Sequence, residues 1–213
     1  MTFEIRREVA LPASPDEVWR AIATPEGQAG WFMTVDAASG DVVEEPPHRL
    51  EQRFGTQSVE YVVEAAGGGN AVLRFVHSGI REEDWGDEWE TMTGLGWDLY
   101  LFTLGEYLRH FAGRPAVYAE AEAPARRDVW QDVLAALGDP REGDRVDTPV
   151  GSGIVDIRTG THLGIRTGSA LVRVHDRSLI GMGTAVGHHE TGPADRHALA
   201  ATWSAWLEAV ARP

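Results

Sequence analysis

From Phe3 the chain alternates: Phe3, Ile5, Arg7 and Val9 interleave with Glu4, Arg6 and Glu8, which predicts a half-exposed strand. Leu11-Pro12-Ala13 ends it, and Ser14-Pro15-Asp16-Glu17 opens a helix. Ser14 is placed to cap, Pro15 suits the first helical position, and Glu17 completes a capping box; Val18, Trp19 and Ile22 form the buried stripe, and Thr24-Pro25 stops the helix. A short turn leads to Trp31-Phe32-Met33. Antiparallel strands are then expected over 40–54, broken at Pro46-Pro47, over 59–64, and over 71–77 after the Gly67-Gly68-Gly69-Asn70 turn.

Between about 87 and 111 the period changes to that of a helix. Trp97, Leu101, Leu104, Leu108 and Phe111 make one stripe, Leu95, Leu99 and Phe102 a second, and Met92, Gly96, Tyr100 and Tyr107 a third. A helix apolar around most of its circumference is covered on more than one side. Its own sheet supplies one cover, and the C-terminal part of the chain is expected to supply the other.

Residues 115–127, with alternating Ala and Glu, read as a linker. Beyond it, four segments echo the first half in order. Val129-Trp130 echoes Val18-Trp19; Gly153-Ile154-Val155-Asp156 with His162-Leu163 echoes Gly40-Asp41-Val42-Val43 with His48-Arg49-Leu50. Ala170 to His175 echoes Val72 to His77, and Thr202-Trp203 echoes Gly96-Trp97. Preserved order across four segments points to a degenerate tandem repeat over 128–213. In it Leu199, Trp203, Trp206, Leu207 and Val210 form one stripe suited to docking a helix on a single surface.

Composition narrows the chemistry. With 213 residues and 43% hydrophobic content the chain can bury a core. It has no Cys, so disulfides, thiolate metal sites and cysteine nucleophiles are excluded. All 19 basic residues are Arg, which reads as a bacterial genome's compositional bias and removes Schiff-base lysine chemistry. A net charge of −14 opposes binding to phosphate backbones, so no nucleic-acid partner is expected. The alternating N-terminus resembles no signal peptide and no run reaches membrane-spanning length, so a cytoplasmic location without a membrane partner is the expectation.

The first half resembles the activator of Hsp90 ATPase homologue-like branch of the START/polyketide-cyclase (SRPBCC, Bet v 1-like) superfamily. The resemblance rests on the opening Phe3 to Val9, the Leu11 to Trp19 helix entry, Gly30-Trp31-Phe32, Val43 to Leu50, Val76-His77-Ser78-Gly79, and Gly96-Trp97. It covers roughly 1–114 and implies an α+β helix-grip fold, a curved antiparallel sheet around a long C-terminal helix, with a cavity between them. The organisation expected is therefore a START-like domain over 1–114, a linker over 115–127 and a smaller degenerate α+β repeat over 128–213. The stretch from Thr34 to Gly40 is shorter than the family's usual pair of strands, so the first sheet is expected to lack a hairpin.

If such a cavity exists, strand alternation says what lines it. Val59, Tyr61 and Val63 share one face, as do Leu73, Phe75 and His77 on the next strand. From the helix Trp85, Trp89, Met92, Gly96 and Tyr100 lie near one line, and Trp31 and Phe32 close an end. The candidate ligand-binding residues are thus Trp31, Phe32, Tyr61, Phe75, His77, Trp85, Trp89, Met92, Gly96 and Tyr100. Aromatic walls with a few convergent polar groups suit a small apolar ligand; the competing reading is plain aromatic core.

His77 is the natural acid or base if there is chemistry, but no catalytic residue is assigned. His175, its echo, sides with Arg173 away from Val172 and Val174, so the second half is expected to have lost any cavity. Neighbouring strand residues His188 and His189 point to opposite faces, so no metal site is assigned, and no cofactor is implied. The first functional reading is the binding of a small hydrophobic or aromatic molecule, the C-terminal half bracing the long helix and a homodimer open. The alternatives are a cyclase, dehydratase or hydrolase of the superfamily, a self-resistance protein acting on a natural product, and, lowest, a chaperone ATPase activator.

Overall fold

The structure is a computed structural model describing residues 1–33, 40–81, 86, 88–123 and 129–211. The chain divides into two compact units, Met1–Arg114 and Pro115–Pro213.

In the first unit β1 (Thr2–Leu11) leads into α1 (Pro15–Ala23) and α2 (Pro25–Gln28), followed by β2 (Val42–Glu45), β3 (Arg49–Phe54), β4 (Gln57–Gly67), β5 (Asn70–Ile80) and α3 (Trp89–His110). The capping box forms as the sequence predicts. Glu17 accepts from the Ser14 backbone N–H at 2.9 Å while Ser14 Oγ accepts from the Glu17 N–H at 3.4 Å. Thr24 ends α1 and caps α2, accepting from the Gly27 N–H at 3.1 Å.

The five strands are antiparallel in the order β1-β5-β4-β3-β2. Their alternation gives one buried face, on which Phe3, Ile5, Leu50, Val59, Tyr61, Val63, Leu73, Phe75 and His77 all lie. Helix α3 packs Trp97, Leu101, Leu104 and Leu108 into the core; Leu99 and Met92, on other stripes of the same helix, are buried as well. Arg7 of β1 ties the sheet edge to α3, pairing with Asp98 and donating to the Gly94 carbonyl.

The second unit repeats the plan: β6 (Val117–Glu122), α4 (Val129–Ala136), β7 (Arg145–Thr148), β8 (Gly151–Arg158), β9 (His162–Arg166), β10 (Ala170–His175), β11 (Ala185–Glu190) and α5 (Arg196–Val210). Its sheet has six strands in the order β6-β11-β10-β9-β8-β7. Strand β6 corrects the expectation of a linker over 115–127. Tyr118, Ala119 and Ala121 are buried there and the strand pairs with β11 from Val117 to Glu122. The modest β-propensity of Ala hides it in the sequence.

Set side by side, the units show β1 corresponding to β6, α1 to α4, β2–β5 to β8–β11, and α3 to α5. Strand β7 has no counterpart among the described residues of the first unit, whose sheet is one strand shorter, while residues 34–39 lie outside the described residues. Gly40 and Gly153 occupy matching places. A Cβ would collide with the Arg53 carbonyl oxygen at the first and lie 2.9 Å from the Arg166 carbonyl oxygen at the second, a close approach that only glycine permits. Leu50 opposite Tyr61 corresponds to Leu163 opposite Val174.

Candidate functional site

Nine of the ten candidate residues are described; Trp85 lies outside the described residues. Those on the sheet meet α3 through Trp97. Phe75 lies 4.2 Å from Trp97 between ring centroids, and Phe32 stacks on the same indole at 5.4 Å and 7°. Phe32 also meets Tyr100 edge-on at 4.7 Å. Tyr61 continues the series, 5.3 Å from Phe75 and 6.5 Å from Trp31, and Trp31 is anchored by its indole N–H on the Ala21 carbonyl at 2.9 Å. At the other end Phe3 links Trp89 at 4.8 Å to His77 at 5.0 Å. The rings therefore pack on one another at the level of Trp97.

Met92 is buried. Gly96, half-buried on the helix between Met92 and Tyr100, faces open space, since a Cβ there would meet nothing within 4 Å.

His77 is held at both nitrogens. Trp97 donates its indole N–H to Nδ1 at 3.0 Å, and Nε2 lies 2.8 Å from the Gln57 side-chain oxygen. An indole can only donate, so Nδ1 must be an acceptor and the neutral ring carries its proton on Nε2, which donates to Gln57. A second proton would set two donors against each other at Nδ1. Burial acts in the same direction, and the imidazole is pushed down to about 4. At neutral pH this is a fixed, uncharged strut.

Tyr61 is the opposite case. It is 3% exposed, yet its hydroxyl hydrogen-bonds to no described residue, and burial alone pushes its pKa up. Buried tyrosine hydroxyls ordinarily find a partner.

The residues that sequence reasoning missed are Phe3, Gln57 and Trp97. Phe3 and Trp97 carried a signal, since Phe3 shares its strand's apolar alternation and Trp97 leads the sheet-facing stripe of α3. Gln57 carried none, being a polar residue at a strand start whose role exists only because β4 sets it beside β5.

The second unit contains the same clamp on different strands. Trp203 of α5 donates to His188 Nδ1 at 3.0 Å, and His188 Nε2 lies 3.2 Å from a Glu190 carboxylate oxygen. Thus the counterpart of His77 is His188 on β11, not His175 on β10. The sequence echo matched β5 to the penultimate strand because both read as short apolar runs ending in His. The ladder decides otherwise: Val59 faces His77 across β4–β5 as Val172 faces His188 across β10–β11. By that correspondence Tyr61 becomes Val174 and Phe75 becomes Val186. The inner face of the second sheet is aliphatic, with Val155, Leu163, Ile165, Val172, Val174 and Val186 packed with Trp203 and Leu207.

In each unit an antiparallel sheet grips a long C-terminal helix and ties it with one indole-to-imidazole bond. This is the START-like helix-grip fold.

No family model matches the chain, and no curated protein matches it. Solved structures do. The di-domain ARO/CYC BexL from the BE-7585A biosynthetic pathway is similar at 15% identity and a TM-score of 0.44, over 99% of this chain and 100% of that one. DynU16, a putative protein in the dynemicin biosynthetic locus, aligns at 21% identity and a TM-score of 0.42 over 96% of each chain. An AHSA1-like protein from Rhizobium etli aligns at 28% identity and a TM-score of 0.43, over 54% of this chain and 86% of that one.

A further feature lies beside these residues. An open groove of about 480 Å³ runs beside β1, lined by Glu4, Ile5, Arg6 and Arg7 and, from α3, by Gly94 and Leu95 among others. Among the described residues no group of three His, Asp or Glu is arranged to hold a metal ion, and no helix is long and apolar enough to cross a membrane.

Proposed function

We propose that the chain binds a small aromatic or otherwise apolar molecule carrying one hydrogen-bonding oxygen, in the first unit, between the inner face of the sheet and α3. The observation that carries this reading is the Tyr61 hydroxyl, which lies among Trp31, Phe75 and their neighbours on a residue only 3% exposed and hydrogen-bonds to no described residue. A ligand oxygen would give it a hydrogen-bond partner, worth about 0.5–1.5 kcal/mol. Trp31, Phe32, Phe75, Trp89, Met92 and Tyr100 supply the apolar surface, and the open space at Gly96 is where a ligand would enter.

His77 fits this reading as a support for Trp97. A catalytic reading would need one of its nitrogens free at working pH, and Trp97 and Gln57 hold both. Binding without catalysis therefore accounts better for the geometry.

The test is thermal-shift and NMR titration of the full chain with paired probes, naphthol against naphthalene and a hydroxylated anthraquinone against anthracene. The oxygenated member of each pair should bind at least about tenfold more tightly, and Tyr61→Phe should erase that preference. Equal binding of both members, or a preference that survives Tyr61→Phe, would overturn the assignment.

A further inference from the structure

We propose that residues 89–96 of α3 are a lid that unwinds from its N-terminal end as far as Gly96 and is latched shut by Arg7; the lid's purpose rests on the binding of an apolar ligand at Tyr61. The two ends of α3 are held differently. From Trp97 onward Leu101, Leu104 and Leu108 are buried, and the Trp97 indole is fastened to His77 at 3.0 Å. Of residues 89–96, all of them described, only Met92 and Gly94 are buried, while Glu90 and Thr91 are exposed. Segments with little buried apolar contact open at lower free energy than the core does.

Helix propensity divides α3 at the same place. Thr91, Thr93, Gly94 and Gly96 are weak helix formers crowded into little more than one turn. Gly105 recurs further along, but there the buried Leu101, Leu104 and Leu108 hold the helix by packing. Gly96 has no such support, and no packing reason to be glycine either, since a Cβ would meet nothing within 4 Å. What it contributes is backbone freedom, directly before the clamped Trp97.

Arg7 closes the segment. Its guanidinium reaches from β1 to both Asp98 carboxylate oxygens and to the Gly94 carbonyl at 3.4 Å, while donating to the Arg6 carbonyl of its own strand at 2.9 Å. Gly94 leaves room for that crossing, because a Cβ there would stand 3.2 Å from Arg7 Nη2. The Arg7 and Asp98 side chains remain 34% and 49% exposed, so water competes for the pair and the latch is weak enough to open. Unwinding 89–96 takes Trp89 away from Phe3 and His77. That uncovers the inner face of the sheet at His77, one cross-strand pair before Phe75 and Tyr61.

Hydrogen exchange followed by NMR on the full chain without ligand tests the unwinding by itself. Amides of 93–96 should exchange at least about tenfold faster than those of 101–108 once intrinsic rates are matched, and Gly96→Ala should slow the first group about fivefold. Stopped-flow tryptophan fluorescence with naphthol tests the lid. Arg7→Gln and Asp98→Asn should each raise the association and dissociation rates together, about threefold, with Kd unchanged. A bridge that only stabilised the fold would lower the unfolding midpoint and leave both rates alone. Should Arg7→Gln disturb the far-UV circular dichroism, Arg7→Lys, which keeps the charge but loses the forked contact, takes its place and should raise both rates less. Equal protection along α3, or rates that stay fixed in these variants, would overturn the lid and leave the Tyr61 site standing. Fast exchange at 93–96 in a chain that binds no oxygenated probe would overturn the lid together with that site.

Discussion

Trp203 donates its indole N–H to His188 at 3.0 Å in the second unit, as Trp97 donates to His77 at 3.0 Å in the first. The bond joins the C-terminal helix to the last strand in both units, while the third member of the chain differs. Gln57 comes from the neighbouring strand in the first unit, and Glu190 stands two residues along the same strand in the second. The clamp is present in both units although the aromatic face is not, since Val174 and Val186 stand in the second unit where Tyr61 and Phe75 stand in the first. A helix that must stay on its sheet needs the clamp whether or not a ligand is held.

Replacing Trp203 by Phe should therefore cost more than the lost atoms alone. It leaves His188 Nδ1 buried without a donor and a gap beside Trp206, whose ring lies 5.5 Å away. The unsatisfied nitrogen accounts for about 1–3 kcal/mol. Urea unfolding should show the midpoint falling by that amount or more, and Trp206→Phe, which breaks no such bond to His188, should cost less.

Acid should destabilise the chain before its carboxylates titrate. The unfolded imidazole of His77 takes up its proton near 6.5, the folded one only near 4. Between those values the unfolded state holds the extra proton, so stability is fully present above about 6.5 and is lost as pH falls toward 4. The loss from His77 alone amounts to roughly 3 kcal/mol, and His188 and His175, both also lowered chiefly by burial, add to it in the same direction. Guanidinium unfolding at stepped pH should trace this decline. His77→Gln should flatten part of it, and a chain equally stable at pH 7 and pH 4.5 would contradict the assignment.

Asp156 should be costly to remove. It holds Arg173 through two bonds, at 2.9 and 3.0 Å, with the side chains 6% and 1% exposed. It stands where the β8–β9 register shifts between Val155 and Ile157, and that irregularity turns its carboxylate toward β10. Asp156→Ala strands a buried guanidinium and should cost about 3–5 kcal/mol, whereas Asp156→Leu combined with Arg173→Met, which removes both charges, should recover most of it. Chemical unfolding of the single and double variants measures the difference.

The amino-acid sequence alone determined what depends on near neighbours. Ser14 and Glu17 lie three residues apart, so their capping box is local. Tyr61 and Phe75 fall on one buried face because alternation along a strand is a property of the backbone, and the stripes of α3 come from its helical period. The order of the echoes likewise exposed the two-fold repetition of the fold. What only the tertiary structure decided were relations between segments. Strand β6 exists because β11 pairs with it, its Ala-rich residues carrying too weak a preference to declare a strand. His188 replaces His175 as the counterpart of His77 because ladder position and contact with a helical Trp define the match, and two short apolar strands ending in His look alike until they are paired. Gln57 becomes the partner of His77, and Tyr61 finds none among the described residues, for the same reason: hydrogen-bond satisfaction is settled by which groups the fold brings within about 3 Å.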